Sequence, residues 1–186
     1  ALAAVIIFFS VVNLLASLAP AWSYDTTTYH LAVPKIYARE HGFVALPSLV
    51  HSNFVMIPGM VFLAAFVVKN GALANLVNFT FGVLLALGIY SFCSRFLGKK
   101  AGIIASAIFL TLPTIAVYSA SAHADIPQAF FAFSAFYAFI VWAERSSTSG
   151  PVLGWLIVSA FMTGLAAASK FTGLAFVAIM ASLMFF

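Results

Sequence analysis

"FGVLLALGIYSFCSRFLGKKAGIIASAIFLTLP", Phe81 to Pro113, decides the fold class of this chain. Two continuous apolar runs flank a short turn that carries Arg95, Lys99 and Lys100. Unbroken apolar runs, without alternation of polar and apolar residues, belong to membrane helices and not to the strands of a barrel. Such runs approach the ~18 residues that a bilayer crossing needs. A basic turn between two of them marks the cytoplasmic side.

The rest of the sequence extends this pattern. The 186 residues are 65% hydrophobic and only 6% charged, against about 25% charged in a soluble domain, and the mean hydropathy is +1.15. Apolar segments recur at 1–19, 54–68, 72–92, 101–120, 127–143, 152–169 and 172–186, and polar stretches such as "ERSSTSGP" (Glu144 to Pro151) separate them. The chain therefore reads as an all-α, polytopic transmembrane helical bundle of about six spanning helices. A first extramembrane loop at about 20–70 carries interfacial helices, and a second loop lies at about 121–126. No internal repeat or low-complexity linker divides residues 1–186, which read as the N-terminal part of one transmembrane domain, truncated at both ends. The net charge of +4 is dispersed among loops, which excludes a nucleic-acid footprint. The single cysteine, Cys93, excludes an intrachain disulfide.

Segment 54–68 is short for a span, and Pro58-Gly59 interrupts it near its start, so it reads first as interfacial or re-entrant; were it to cross, Asp25 and Asp125 would part to opposite sides of the bilayer. Without that crossing, the loops with Arg95, Lys99 and Lys100 and with Glu144 and Arg145 share the cytoplasmic face. "YDTTTYHLAVPKIYAREHGF" (Tyr24 to Phe43), "SAHADIP" (Ser121 to Pro127) and Lys170 fall on the opposite face. Two of the four acidic residues and one lysine thus gather at one membrane surface.

Each of these residues has a structural and a chemical reading. Asp25, ahead of three threonines, suits the N-cap of an interfacial helix; it also suits a general base whose partial burial raises its pKa. Asp125 stands two residues before Pro127, a helix-start signature. His123 would ligate a metal only if other donors converge on it. A loosely held divalent ion between Asp25 and Asp125 is left open. Lys170 either snorkels to the headgroups or pairs with a lipid phosphate. Glu40, His41, His51 and Lys69 read as surface groups, and Asn75 and Asn78 as interhelical hydrogen-bonders. Phe130, Phe131, Phe133 and Phe136 read as bilayer or bundle packing.

"YDTTTYHLAVPKIYAREHGF", the stretch from Leu76 to Phe139 with its basic turn and "HADIPQ", and "GLAAASKFTGLAF" (Gly164 to Phe176) follow one another in a telling order. That order resembles the bacterial membrane glycosyltransferases of the GT-C class, of the dolichyl-phosphate-mannose protein mannosyltransferase type, including the lipid A aminoarabinose transferases. The resemblance implies a polyprenyl-phosphate-linked sugar donor and a glycan, lipid or protein acceptor. It implies Asp25 as catalytic base, with Asp125, Lys170, His30, Tyr29 and His123 binding substrate and Lys170 facing the donor phosphate. It also implies an extracytoplasmic site on a bacterial inner-membrane protein, transfer with inversion, and no certain cofactor, with a divalent metal left open. Two departures bear on the sugar: "SNFVMIPGM" (Ser52 to Met60) lacks the family's Pro-Pro element, and Thr26 stands where many members carry a second acid. A transporter or channel would place its acids within the spans, at midplane, whereas Asp25 and Asp125 lie at helix ends. A non-catalytic membrane scaffold is the third reading.

Overall fold

The computed structural model describes residues 2–149 and 153–185, so the Gly150-Pro151 stop of the polar turn lies outside the described residues. Among them the chain is helical throughout, with no strand: α1 (Leu2–Ser17), α2 (Ala32–Arg39), α3 (Ile57–Val68), α4 (Gly71–Leu97), α5 (Lys99–Thr111), α6 (Pro113–Ala120), α7 (Asp125–Ser149), α8 (Leu153–Ala167) and α9 (Thr172–Leu183). Large apolar side chains such as Ile7, Phe8, Leu15, Leu87, Ile157 and Phe161 are exposed along these helices. Surface of that kind is covered by lipid in a membrane protein.

The spans differ in length from the simple expectation of about six. By length and composition α4 and α7 qualify on their own, and α5 with α6 makes a third if that bent pair is one span. α1, α3, α8 and α9 are apolar but shorter. The single apolar run 101–120 breaks at Pro113, where α5 and α6 meet at 69°. Proline supplies no N–H and its ring clashes with the preceding turn, and composition alone does not reveal the bend.

α4 is the central helix; α1, α3, α5, α6 and α7 all pack against it. It runs parallel to α7, as paired contacts along both helices show. Ser91 meets the Tyr137 hydroxyl at 3.1 Å, and Arg95 meets Glu144 at 2.8 Å near their far ends. Serines tie helices to one another's backbones: Ser106 donates to Ala86 O and Ser159 to Ala135 O, an economical glue where water is absent.

α3 does not cross the bundle. Its first residue donates from Ile57 N–H to Ala168 O at 3.0 Å, at the level of Lys170. Its later residues Phe62 and Ala65 form one buried cluster with Leu31, Ala74 and Ala122. Both halves of α3 therefore sit against loop residues. Twelve residues rise about 18 Å, short of the ~30 Å hydrocarbon core.

Candidate active site at the loop-bearing end

Two buried asparagines of α4 set the loops in place. Asn75 donates to Ala19 O at 3.2 Å and accepts from Ala122 N–H at 3.0 Å, so one side chain joins the end of α1 to the second loop. Asn78 donates to Tyr118 O, Ser119 O and Ser121 O at 2.6, 3.3 and 2.7 Å. The first two carbonyls belong to the last turn of α6, which has no intrahelical partners of its own. Asn78 thus caps α6 from a neighbouring helix. The Asn78 bonds to α6 bear out its interhelical reading, whereas Asn75 bonds to the backbone of two loops.

The first loop docks onto the second through hydroxyls. Ser121 Oγ donates to Thr26 Oγ1 at 3.0 Å, and Thr26 Oγ1 donates to Ala122 O at 3.2 Å. Ser23 Oγ donates to Thr26 Oγ1 at 2.7 Å, accepts from Thr26 N–H at 3.3 Å, and lies 2.9 Å from His123 Nε2. Since the Ser23 proton goes to Thr26, the arrangement that satisfies every group puts a proton on His123 Nε2 and leaves Nδ1 bare.

This network corrects the cap expected at Asp25. Ser23 caps the turn through its bond to Thr26 N–H, while the Asp25 side chain makes no cap bond. Asp25 is exposed, in a turn that widens at once: Leu31 N–H reaches back to Thr26 O, five residues away, at 2.9 Å. Such π-type turns occur often at functional sites. The carboxylate is therefore free of backbone duty.

Asp125 opens α7, and Lys170, in the turn between α8 and α9, donates to its Oδ1 at 2.7 Å. Lys170 therefore has a specific anionic partner and does not merely snorkel. Gly173 makes the corner tight: a Cβ there would strike Ala166 O and the neighbouring backbone. Gln128 Nε2 donates to the Thr172 hydroxyl at 2.9 Å, joining α7 to the start of α9.

Beside this ion pair lies a cavity of about 150 Å³ lined by residues of the first loop, α3 and the α8–α9 turn, among them Tyr29, His30, Phe54, Lys170 and Phe171. Tyr29 stacks on His51 at 4.4 Å with the rings 8° from parallel, and Phe54 packs edge-on against Phe171 at 5.6 Å. His51, half-buried in the first loop, backs Tyr29 without lining the cavity, and Phe54 and Phe171 line it. No spacing in the sequence signals these three. An apolar hollow of about 400 Å³ between α1, α4 and α5 is larger but holds no titratable group except Tyr90.

Electrostatics follow from burial. Desolvation chiefly pushes the Tyr29 hydroxyl up to about 12, with the Asp25 charge and its hydrogen bond next. Desolvation, then the neighbouring His123, lowers His30 to about 3. His123, only 2% exposed, is lowered mainly by burial, partly opposed by Asp125 and Asp25. Both imidazoles are neutral at ordinary pH. His30, His123 and Asp125 each present one ligand atom, all within 4.8 Å of one another. The donors that converge are these three, and Asp25 is not among them.

Five of the six candidates from the sequence therefore gather around one ion pair and one cavity, and the Asp25 charge reaches Tyr29 and His123. A sequence model described as "Dolichyl-phosphate-mannose-protein mannosyltransferase" matches residues 52–186, a stretch that holds His123, Asp125 and Lys170 and omits Asp25, Tyr29 and His30. Comparison with curated proteins and with solved structures finds no match.

Proposed function

The chain belongs to the dolichyl-phosphate-mannose-protein mannosyltransferase family, membrane glycosyltransferases that draw their sugar from a polyprenyl phosphate, and on that premise we propose that Asp25 is the base of a direct displacement at the loop-bearing end. The acceptor hydroxyl attacks the anomeric carbon while Asp25 takes its proton. The bond from that carbon to the phosphate oxygen breaks, and the lipid phosphate leaves with one more negative charge. Lys170 stabilises this growing charge. Its ammonium carries three donors, so it can keep Asp125 while it binds a phosphate oxygen. One base and no enzyme nucleophile give inversion at the sugar.

The observation that carries this reading is the Lys170–Asp125 pair at 2.7 Å. Residues 45 apart in sequence meet beside a cavity that Tyr29 and His30 also line. An exposed pair of this kind adds little to stability, so its place beside a cavity favours a binding role. The face is assigned as extracytoplasmic from the basic turn at Arg95, Lys99 and Lys100 at the other end of α4. A bacterial inner membrane is the setting. Tyr29, backed by the stacked His51 ring, offers an aromatic wall for a sugar ring.

Full-length protein in lipid vesicles, offered a panel of polyprenyl-phosphate sugars with candidate acceptors, tests this. One donor should be consumed, leaving polyprenyl phosphate and a glycoside of opposite anomeric configuration. Turnover of no donor, or a product of retained configuration, contradicts the proposal.

A further inference from the structure

We propose that His30, His123 and Asp125 form a binding site for a divalent transition metal of the zinc class. The three residues come from the first loop, the second loop and the first turn of α7, and their ligand atoms lie within 4.8 Å of one another. Donors around tetrahedral zinc stand about 3.3 Å apart, from metal–ligand distances of about 2.0–2.1 Å. The set closes by no more than about 1.5 Å, within reach of side-chain rotation. Two imidazoles and one carboxylate select zinc, cobalt or nickel over magnesium or calcium, which prefer oxygen alone.

Two further observations fit a ligand set better than two structural histidines. The rings meet edge to face at 5.3 Å between centroids, with no hydrogen bond between them. The Ser23 hydroxyl, 2.9 Å from His123 Nε2, fixes the ring as an outer partner does in metal sites. Lys170 occupies Asp125 Oδ1 and leaves the second carboxylate oxygen for a metal. Its charge opposes a dication, so the site is of moderate affinity.

Three protein ligands leave a fourth position open, the arrangement of a catalytic rather than a structural site. A phosphate oxygen of the donor would fill it beside Lys170. That use rests on the proposed function; the binding of metal does not.

The test is titration of untagged, full-length protein, stripped with chelator, with Zn2+ or Co2+ alone. The expected result is one equivalent bound, with the intense visible absorption of four-coordinate Co2+, and no displacement by equimolar Mg2+. His30→Ala and His123→Ala should each weaken binding tenfold or more. Asp125→Asn, which preserves shape and empties no buried volume, should do the same. Asp25→Asn should leave binding within twofold, and Lys170→Ala should leave it equal or tighter. No stoichiometric binding, or binding indifferent to both His123→Ala and Asp125→Asn, overturns the proposal. The readout needs neither donor nor turnover. Transfer without metal binding would therefore refute this site alone, and metal binding without transfer would refute the proposed function alone.

Discussion

Replacing Asn78 by aspartate should damage the protein more than replacing it by alanine, although aspartate is nearly isosteric. The amide donates to three carbonyls, Tyr118 O, Ser119 O and Ser121 O, and its residue is fully buried. The amide carries two protons shared among three carbonyls, so alanine removes two hydrogen bonds' worth of donation; at about 0.6 kcal/mol each, the average inside membrane proteins, the loss is about 1 kcal/mol. For a chain of this size that lowers the melting temperature by about 2–4 °C. Aspartate turns the donor into a second acceptor and aims an unpaired buried charge at three oxygens. Its cost is about 3–5 kcal/mol, or at least about 6 °C. Thermal unfolding of the purified protein in detergent, followed by tryptophan fluorescence, measures both variants against wild type. A melting temperature for Asn78→Asp equal to or above that of Asn78→Ala would refute the donor role and with it the capping of α6.

Other outcomes follow from the same geometry. Lys170→Ala should weaken binding of polyprenyl-phosphate donor at least tenfold, whereas Lys35→Ala, on the exposed side of α2, should leave it unchanged; equal effects would return Lys170 to a snorkelling role. Gly173→Ala should cost about 1–3 kcal/mol, because its Cβ meets backbone that cannot yield. Gly154→Ala and Gly164→Ala, which face open space, should cost nothing in the same thermal assay. With Cys93 replaced, cysteines at the exposed positions Thr27, Lys69 and Phe171 should react with an impermeant thiol reagent from one side of the membrane, and one at Lys100 from the other. Labelling of Lys69 from the side of Lys100 would make α3 a span and undo the shared face.

The helical membrane architecture was legible because apolar runs and a basic turn report on solvent directly. Asn75 and Asn78 were legible too, since an amide in an apolar helix must find a partner. The 69° break at Pro113 was not, because an apolar run reads the same whether straight or bent. Ser23 rather than Asp25 as the cap was hidden for a different reason. Both residue types cap well, and only the backbone of the wide turn decides between them. The pairing of Lys170 with Asp125 and the stacking of His51 on Tyr29 depend on how three distant loops meet. No local periodicity carries that information.

The central claim is that a carboxylate at the loop-bearing end moves the acceptor's proton. The direct measurement is the rate of sugar transfer by Asp25→Asn in lipid vesicles, with donor binding measured on the same preparation. Loss of a general base removes about a hundredfold or more of the rate. The account predicts that loss with donor affinity and melting temperature unchanged, since the Asp25 side chain makes no cap bond. Transfer within a few-fold of wild type, with donor bound normally, would contradict it.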